Sequence, residues 1–533
     1  MRIRFDSREM FCEKLCFLVL VLAGLETAQS SRCEQLVALS TSEDKQTVVD
    51  TNLELLAGTW ISEGCETRPG PEYVIRHYQF GDKGNFTLIQ HHYWDESCSS
   101  PKLTVTANGR LTLRNSLIQP GASTGYPKLR NITIIPQDVN AAKELDRLVA
   151  ARCPGQYWKT WRRYEEHLVF ENKNMARRKP SAYLSPINNY HSVNSQRNVL
   201  HASGHISCLG SLKWAFNEIK LLKIQLRPIP NSRIKKVKEM KMELLLGDIH
   251  SNAHLREVYN PTSFQQPLVK HVENEFVTVN KHPYLIRNTN SIMSNVFTNP
   301  KNPPHLLVKL KLPPYIWGEW TSTRCEIRNM GLYLKRLFYF YSEDSTWIGE
   351  HKFYADPFCS VVKFSVTAAG YLDIAGESKI IPGSYDIDFN IEKASLTVMD
   401  QRMVSDMHLT NTCGLDEWVV NVPKELSSTK GCPQLGIVLP SVLQDIVKIE
   451  MDFVGSLLLF LGQSDSDNLP SSMKERPTAF QPPLMKCGDV ATYSQELRDI
   501  LYDDLEFSSG NSRFLHIQLL VVALLVTVLN VLR

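Results

Sequence analysis

No imbalance of charge marks this sequence: 59 Lys and Arg stand against 56 Asp and Glu in 533 residues. A formal +3 on so long a chain generates no field able to gather nucleic acid, so that partner class is excluded. Glycine (26) and proline (28) are too sparse for collagen or low-complexity sequence, and 43% hydrophobic residues exclude wholesale disorder. There is no nucleophile elbow, phosphate-binding glycine loop or zincin helix, so the expectation is a protein that is not an enzyme and needs no cofactor. Close cysteine pairs of the zinc-binding kind are missing beyond the first thirty residues, where the nearest two are Cys413 and Cys432. His91-His92, and His250 with His254, lack a Cys or carboxylate that would complete a metal site in both halves of the chain, and they read as packed or solvent-facing side chains. Long apolar runs are confined to the two ends.

Those ends point to the secretory pathway. Arg2, Arg4, Arg8 and Lys14 precede the apolar run Leu15 to Leu25, and Ala28-Gln29-Ser30 offers small residues to a signal peptidase, so residues 1–30 read as a signal peptide. Residues 515–532, almost wholly apolar, read as a transmembrane anchor behind a juxtamembrane stalk at 485–514. Ser508-Ser509-Gly510 leaves a glycolipid anchor open as the alternative. The expected location is the plasma membrane with an extracellular ectodomain. Ten cysteines remain after the signal peptide, an even number suited to disulfides, and Asn85 and Asn131 head glycosylation sequons.

A repeat organises the chain. Gly58-Thr59-Trp60-Ile61-Ser62-Glu63-Gly64-Cys65-Glu66 returns 260 positions later as Gly318-Glu319-Trp320-Thr321-Ser322-Thr323-Arg324-Cys325-Glu326. Further on, Phe264-Gln265-Gln266-Pro267-Leu268 is answered by Phe480-Gln481-Pro482-Pro483-Leu484. Each copy owns four cysteines: Cys65, Cys98, Cys153 and Cys208, then Cys325, Cys359, Cys413 and Cys432. Four cysteines allow three connectivities; the matching first spacings favour first with second and third with fourth. Cys33 and Cys487 flank the repeat and either join each other or reach into a domain.

Within a copy the hydrophobic period is two, in short runs separated by turn clusters such as Gly81-Asp82-Lys83-Gly84. One helix interrupts each meander, at Val139 to Ala151 and at Val398 to Leu409. The fold expected is therefore all-β dominated, with one helix per repeat, in two tandem homologous antiparallel β-barrel-like domains at 40–268 and 313–484. Residues 269–312, rich in Asn and carrying Asn302-Pro303-Pro304, read as a linker.

A sugar on Asn85 would set the phase of its strand. Thr87, Ile89, His91 and Tyr93 would then share the outer face, and Phe86, Leu88, His92 and Trp94 would point inward. With Trp60, Ile132 and Ile134 these are the candidate lining of an interior ligand cavity. The third and fourth cysteines lie 55 positions apart in the first copy against 19 in the second, so the first is the expected site of an enclosed ligand. The alternative is a barrel filled by its own aromatics.

The paired Gly-x-Trp-x-Ser-x-x-Cys-Glu segments, Leu246-Gly247-Asp248-Ile249-His250 and the paired Phe-Gln-x-Pro-Leu closures resemble the adenomatosis polyposis coli down-regulated family of Wnt-inhibitory membrane glycoproteins. The resemblance covers about Cys33 to Cys487. It implies an ectodomain that antagonises Wnt signalling by engaging the lipidated Wnt ligand, its low-density-lipoprotein-receptor-related co-receptor, or both, with an apolar barrel cavity for the acyl lipid. The long polar insertion at Asn172 to Val199 departs from the family's usual form. An adhesion or scaffolding ectodomain working through barrel exteriors is the other reading, and a second copy of the chain stays open as a partner.

Overall fold

A computed structural model describes residues 32–50, 53–152, 160–172, 215–229, 238–287, 299–328, 331–414, 417–452, 455–463 and 476–488. The residues read as signal peptide and anchor, most of those read as stalk, and Cys153 and Cys208 lie outside them. The first ring is built from β1 (Gly58–Ser62), β2 (Glu72–Phe80), β3 (Asn85–Tyr93), β4 (Pro101–Asn115), β5 (Ser123–Pro136), β6 (Leu221–Pro228), β7 (Glu239–Leu246) and β8 (Leu268–Lys270). Every strand pairs antiparallel with its neighbours in sequence, and β8 returns to β1 with Val269 opposite Ile61, so the meander closes and has no free edge.

The second ring repeats this strand for strand with β9 (Gly318–Ser322), β10 (Tyr333–Phe340), β11 (Thr346–Tyr354), β12 (Val362–Glu377), β13 (Tyr385–Val398), β14 (Ser441–Met451), β15 (Leu457–Leu461) and β16 (Leu484–Lys486). It too closes antiparallel, through Thr321 opposite Met485. The protein is therefore two eight-stranded up-and-down barrels. Helix Val139–Arg152 sits between the fifth and sixth strands of the first barrel, and helix Gln401–Thr410 at the same place in the second. The latter starts later than its apolar spacing suggested. Val398 is spent as the buried last residue of β13, and Asp400 caps the helix by accepting from the Arg402 amide at 2.9 Å.

Three boundaries differ from the sequence reading. Residues 269–312 are more than a linker: Val269 and Lys270 belong to the strand that closes the first barrel, and a hairpin of Glu275–Val279 with His282–Ile286 lies in parallel register against β7. Residues 485–514 do not begin as a stalk, because Met485 and Lys486 complete β16 and Cys487 is buried in a disulfide with Cys33. Helix α1 (Arg32–Gln46) precedes the first barrel, and its buried residues are Cys33, Ser40 and Asp44. A helix that buries a polar face carries no apolar stripe and is invisible to periodicity.

The barrels are joined through polar and apolar contacts. Asp44 of α1 pairs with Arg227 of β6 at 2.8 Å and with Lys335 of β10 at 3.3 Å, and accepts from the Cys325 amide at 2.9 Å. Elsewhere Tyr73, Ile75 and Tyr93, on the outside of the first barrel, form one buried cluster with Ile381 and Ile446 of the second. That cluster explains why Tyr93, outward-facing in its strand, is buried. The covalent frame comprises Cys65–Cys98, Cys325–Cys359, Cys413–Cys432 and Cys33–Cys487.

Candidate functional site

The repeated motifs build one buried device in each barrel. Trp60 lies in the core and donates from Nε1 to the Leu56 carbonyl at 2.8 Å; Trp320 does the same to Ile316 at 2.5 Å. Ser62 Oγ donates to Glu66 at 2.5 Å and accepts from the Arg76 amide at 2.8 Å, and Ser322 repeats both contacts with Glu326 at 2.7 Å and Arg336 at 2.8 Å. The arginines then reach the closure motif, Arg76 Nη2 donating to the Gln266 carbonyl at 2.7 Å and Arg336 Nη2 to the Pro482 carbonyl at 2.6 Å. So the Ser and Glu of the first motif hold an arginine that ties it to the Phe-Gln-x-Pro-Leu segment 190 residues on in one copy and 146 in the other. This is structural chemistry. Neither arginine stands out in the sequence, since each is one polar residue in an alternating strand.

The first barrel adds Glu218, which pairs with Arg76 Nη1 at 3.2 Å and accepts from the Tyr78 hydroxyl. Burial and that carboxylate push the Tyr78 hydroxyl far above its ordinary value, while the arginines hold Glu218 below its own against burial. Among the described residues no carboxylate takes that place beside Arg336, whose Nη1 is buried without a partner. Asp445 is buried nearby, pushed up to about 7 by burial against the counter-effect of hydrogen bonds from the Ile446 and Gly462 amides.

The interiors differ. In the first barrel Trp60, Phe86, Leu88, Ile132 and Ile134 meet in a single continuous core. Trp60, Leu88 and Ile132 have no accessible surface, so no gap wide enough for water touches them. The interior is filled around these residues and keeps only a water-sized space of about 10 Å³ beside Leu56, Leu113, Leu222 and Ile224, although the longer first copy had promised the enclosed space; much of its extra length falls at residues 173–214, outside the described set. His92 is half-buried, with burial outweighing Glu72 to lower it to about 4. Trp94 is not interior: β3 ends at Tyr93, and Trp94 is 40% exposed at the rim with Lys102 over its ring at 4.1 Å and Asp138 on its Nε1. Asn85 is exposed at the start of β3, whereas Asn131 is half-buried in mid-strand and its sequon Thr133 bonds Thr106 at 2.6 Å.

The second barrel has two apolar clusters instead of one. The lower gathers around Trp320, Trp347 and Phe389; the upper lies beneath helix Gln401–Thr410 around Leu396, Met407 and the Cys413–Cys432 bridge. Ala368 and Ile391 touch both clusters and are only half-buried, and so are Phe353, Val366 and His351 on the neighbouring strands. Phe364, Val366 and Ala368 alternate along β12 opposite Val398, Leu396 and Ala394, all three core residues, so this face points inward. These half-buried side chains are where the two clusters meet. His351, edge-on to Phe338 at 5.4 Å, is lowered to about 3 by burial and by Arg336.

Between the barrels lies a cleft of about 260 Å³. One wall is the outer face of β6 and β7, where Lys223 and Leu245 are cross-strand partners; the other carries Arg324, Pro357, Phe358 and Phe460 of the second barrel. The two closure motifs, Phe264 to Pro267 and Pro482-Pro483, form its floor. A neighbouring cavity of about 110 Å³ is lined by Arg68, whose Nε and Nη1 are buried without hydrogen-bond partners.

The sequence profile of the adenomatosis polyposis coli down-regulated 1 family matches residues 32–280 and 307–495, each match spanning one barrel. The chain belongs to that family. The first match begins with α1 and the second ends beyond Cys487, so the Cys33–Cys487 bridge lies within the family's domain pair. Membership of the adenomatosis polyposis coli down-regulated 1 family is consistent with a role in the Wnt pathway, and the four disulfides among the described residues fit an oxidising, extracellular setting. No helix among the described residues is long and apolar enough to cross a membrane.

Proposed function

We propose that the protein is a cell-surface antagonist of Wnt signalling that captures the lipidated ligand by its acyl chain, held in the second barrel between its two apolar clusters. The observation behind this reading is the pair Ala368 and Ile391, inward-facing, apolar and half-buried where the two clusters meet, which we take as the place of a gap for the chain. Each methylene buried in such a gap contributes roughly 0.8 kcal/mol, and a chain of a dozen carbons exceeds the cost of association. Family membership supports the pathway. The co-receptor then meets the barrel exterior, and the anchor at 515–532 holds the complex at the plasma membrane.

The test compares binding of the soluble ectodomain to acylated and acyl-deficient Wnt, before and after Ala368→Trp fills the gap. The expected result is at least a hundredfold preference for the acylated ligand, lost in the variant. Equal affinity for both ligands places the partner on the barrel exteriors and removes the acyl mechanism.

A further inference from the structure

Lys223 is an anomaly of the cleft. As a residue it is only 4% exposed, and no hydrogen bond or ion pair holds its ammonium among the described residues; its Nζ is not one of the fully buried unpartnered atoms, so it opens to the cleft. Burial alone, with no carboxylate to oppose it, lowers it to about 8. The other charged residues lining the cleft are matched: Asp44 with Arg227 at 2.8 Å, Glu63 with Lys241 at 2.8 Å, Glu66 with Arg76 at 2.9 Å, Arg324 with Glu243 at 3.2 Å and Glu326 with Arg336 at 2.9 Å. A lysine whose stem is buried and whose ammonium meets only the water of a largely apolar cleft leaves room for a group that supplies the negative charge.

The surroundings say what kind of group that is. Lys223 stands beside Leu245 and faces a cleft that also presents Phe264, Pro267, Phe358 and Phe460. A strongly hydrated divalent or multiply charged anion would lose its water against those rings. A single carboxylate on an apolar body satisfies both features, and about 260 Å³ suits a body of medium length. We infer that the inter-barrel cleft is a second ligand site, separate from the barrel interior, which takes a medium-chain carboxylate with its headgroup on Lys223 and its chain against the proline and phenylalanine walls.

Octanoate and octanol are the probes, since they differ chiefly in the charged head. Calorimetry on the intact ectodomain is expected to show octanoate binding at least tenfold more tightly than octanol. Lys223→Met should abolish that preference without lowering the melting temperature, because no native ion pair is lost; Lys223→Gln serves as the second variant if Met perturbs folding. Reductive methylation with ¹³C-formaldehyde gives a site-specific reading: the Lys223 methyl signal should titrate at least one pH unit higher with octanoate and be unmoved by octanol. An unmoved Lys223 signal with octanoate, or the same octanoate preference in both Lys223 variants, overturns the site. Neither result bears on the second barrel, whose interior Lys223 does not touch, and loss of acyl-dependent Wnt binding there leaves the Lys223 titration intact.

Discussion

Arg336 repeats Arg76 at a distance of 260 residues: each donates Nε to the glutamate of its own repeat motif, at 2.9 Å and 3.1 Å respectively. The guanidinium holds together strands distant in sequence, and its removal leaves a buried carboxylate unpaired. Arg76→Met is expected to cost about 3–5 kcal/mol and to lower secretion, because Glu66 loses its cation and Glu218 keeps only the longer contact with Arg68 at 3.6 Å. Arg336→Met should cost less, since Arg328 remains on Glu326 at 2.6 Å. Secreted yield of the two variants side by side checks the order, and a more damaging Arg336→Met would contradict it.

Asp445 predicts a pH dependence of the second barrel. Its carboxyl is raised to about 7 in the fold by burial, so the folded state binds the proton more tightly than the unfolded chain, whose ordinary value is about 3.9. The stability this contributes is complete at pH below about 4 and is lost as pH rises to about 7, at roughly 1.4 kcal/mol per pH unit at most. Asp445→Asn removes that dependence. Denaturant unfolding from pH 4 to 8 should show the wild type falling relative to the variant until about pH 7 and running parallel above it.

The phase of β3 is testable at two adjacent residues. Leu88 has no accessible surface, whereas Thr87 is half-buried and donates to Asn108 Oδ1 at 2.8 Å. Leu88→Asp places an unpaired charge in the core and should abolish secretion. Thr87→Asp should remove a glycan at Asn85 and leave secretion near normal. Secreted yield with a gel-shift readout separates the two, and an intolerant Thr87 would reverse the face assignment.

Cys33 and Cys487 predict the outcome of limited proteolysis. A nick anywhere between the barrels leaves two fragments on a reducing gel and one species without reductant, because the bridge spans 454 positions. In the Cys33→Ser, Cys487→Ser double variant the fragments should separate without reductant, and stability should fall by about 2–5 kcal/mol. Separation of the wild-type fragments without reductant would show the bridge unformed.

The two barrels were legible because their signals are short-range and repeated. Trp60, Cys65 and Glu66 recur with fixed spacing, and alternation along β3 sorted Phe86 and Leu88 inward. The rest failed for physical reasons tied to particular residues. Trp94 was assigned inward by continuing the alternation one residue past a strand whose register already shifts between His92 and Tyr93. Lys223 gave no signal because β6 alternates like any half-exposed strand, with Leu222, Ile224 and Leu226 inward and Lys223, Gln225 and Arg227 outward, and no local pattern shows that the second barrel covers that outer face. The single core of the first interior, and the two clusters of the second, depend on how whole side chains meet across a closed ring. No local pattern records that.

The bridge between Cys33 and Cys487 gives the protein a mechanical property. Any tension on the segment following Cys487 enters the fold at a point covalently fixed to α1, so the load divides between β16 and the N-terminal helix instead of peeling the last strand from the barrel. Helix α1 in turn grips both barrels through Asp44, and the force arrives spread over their shared seam. A protein tethered by its C-terminus and pulled by a partner bound above would unfold by shearing the whole pair of barrels, not by unzipping one.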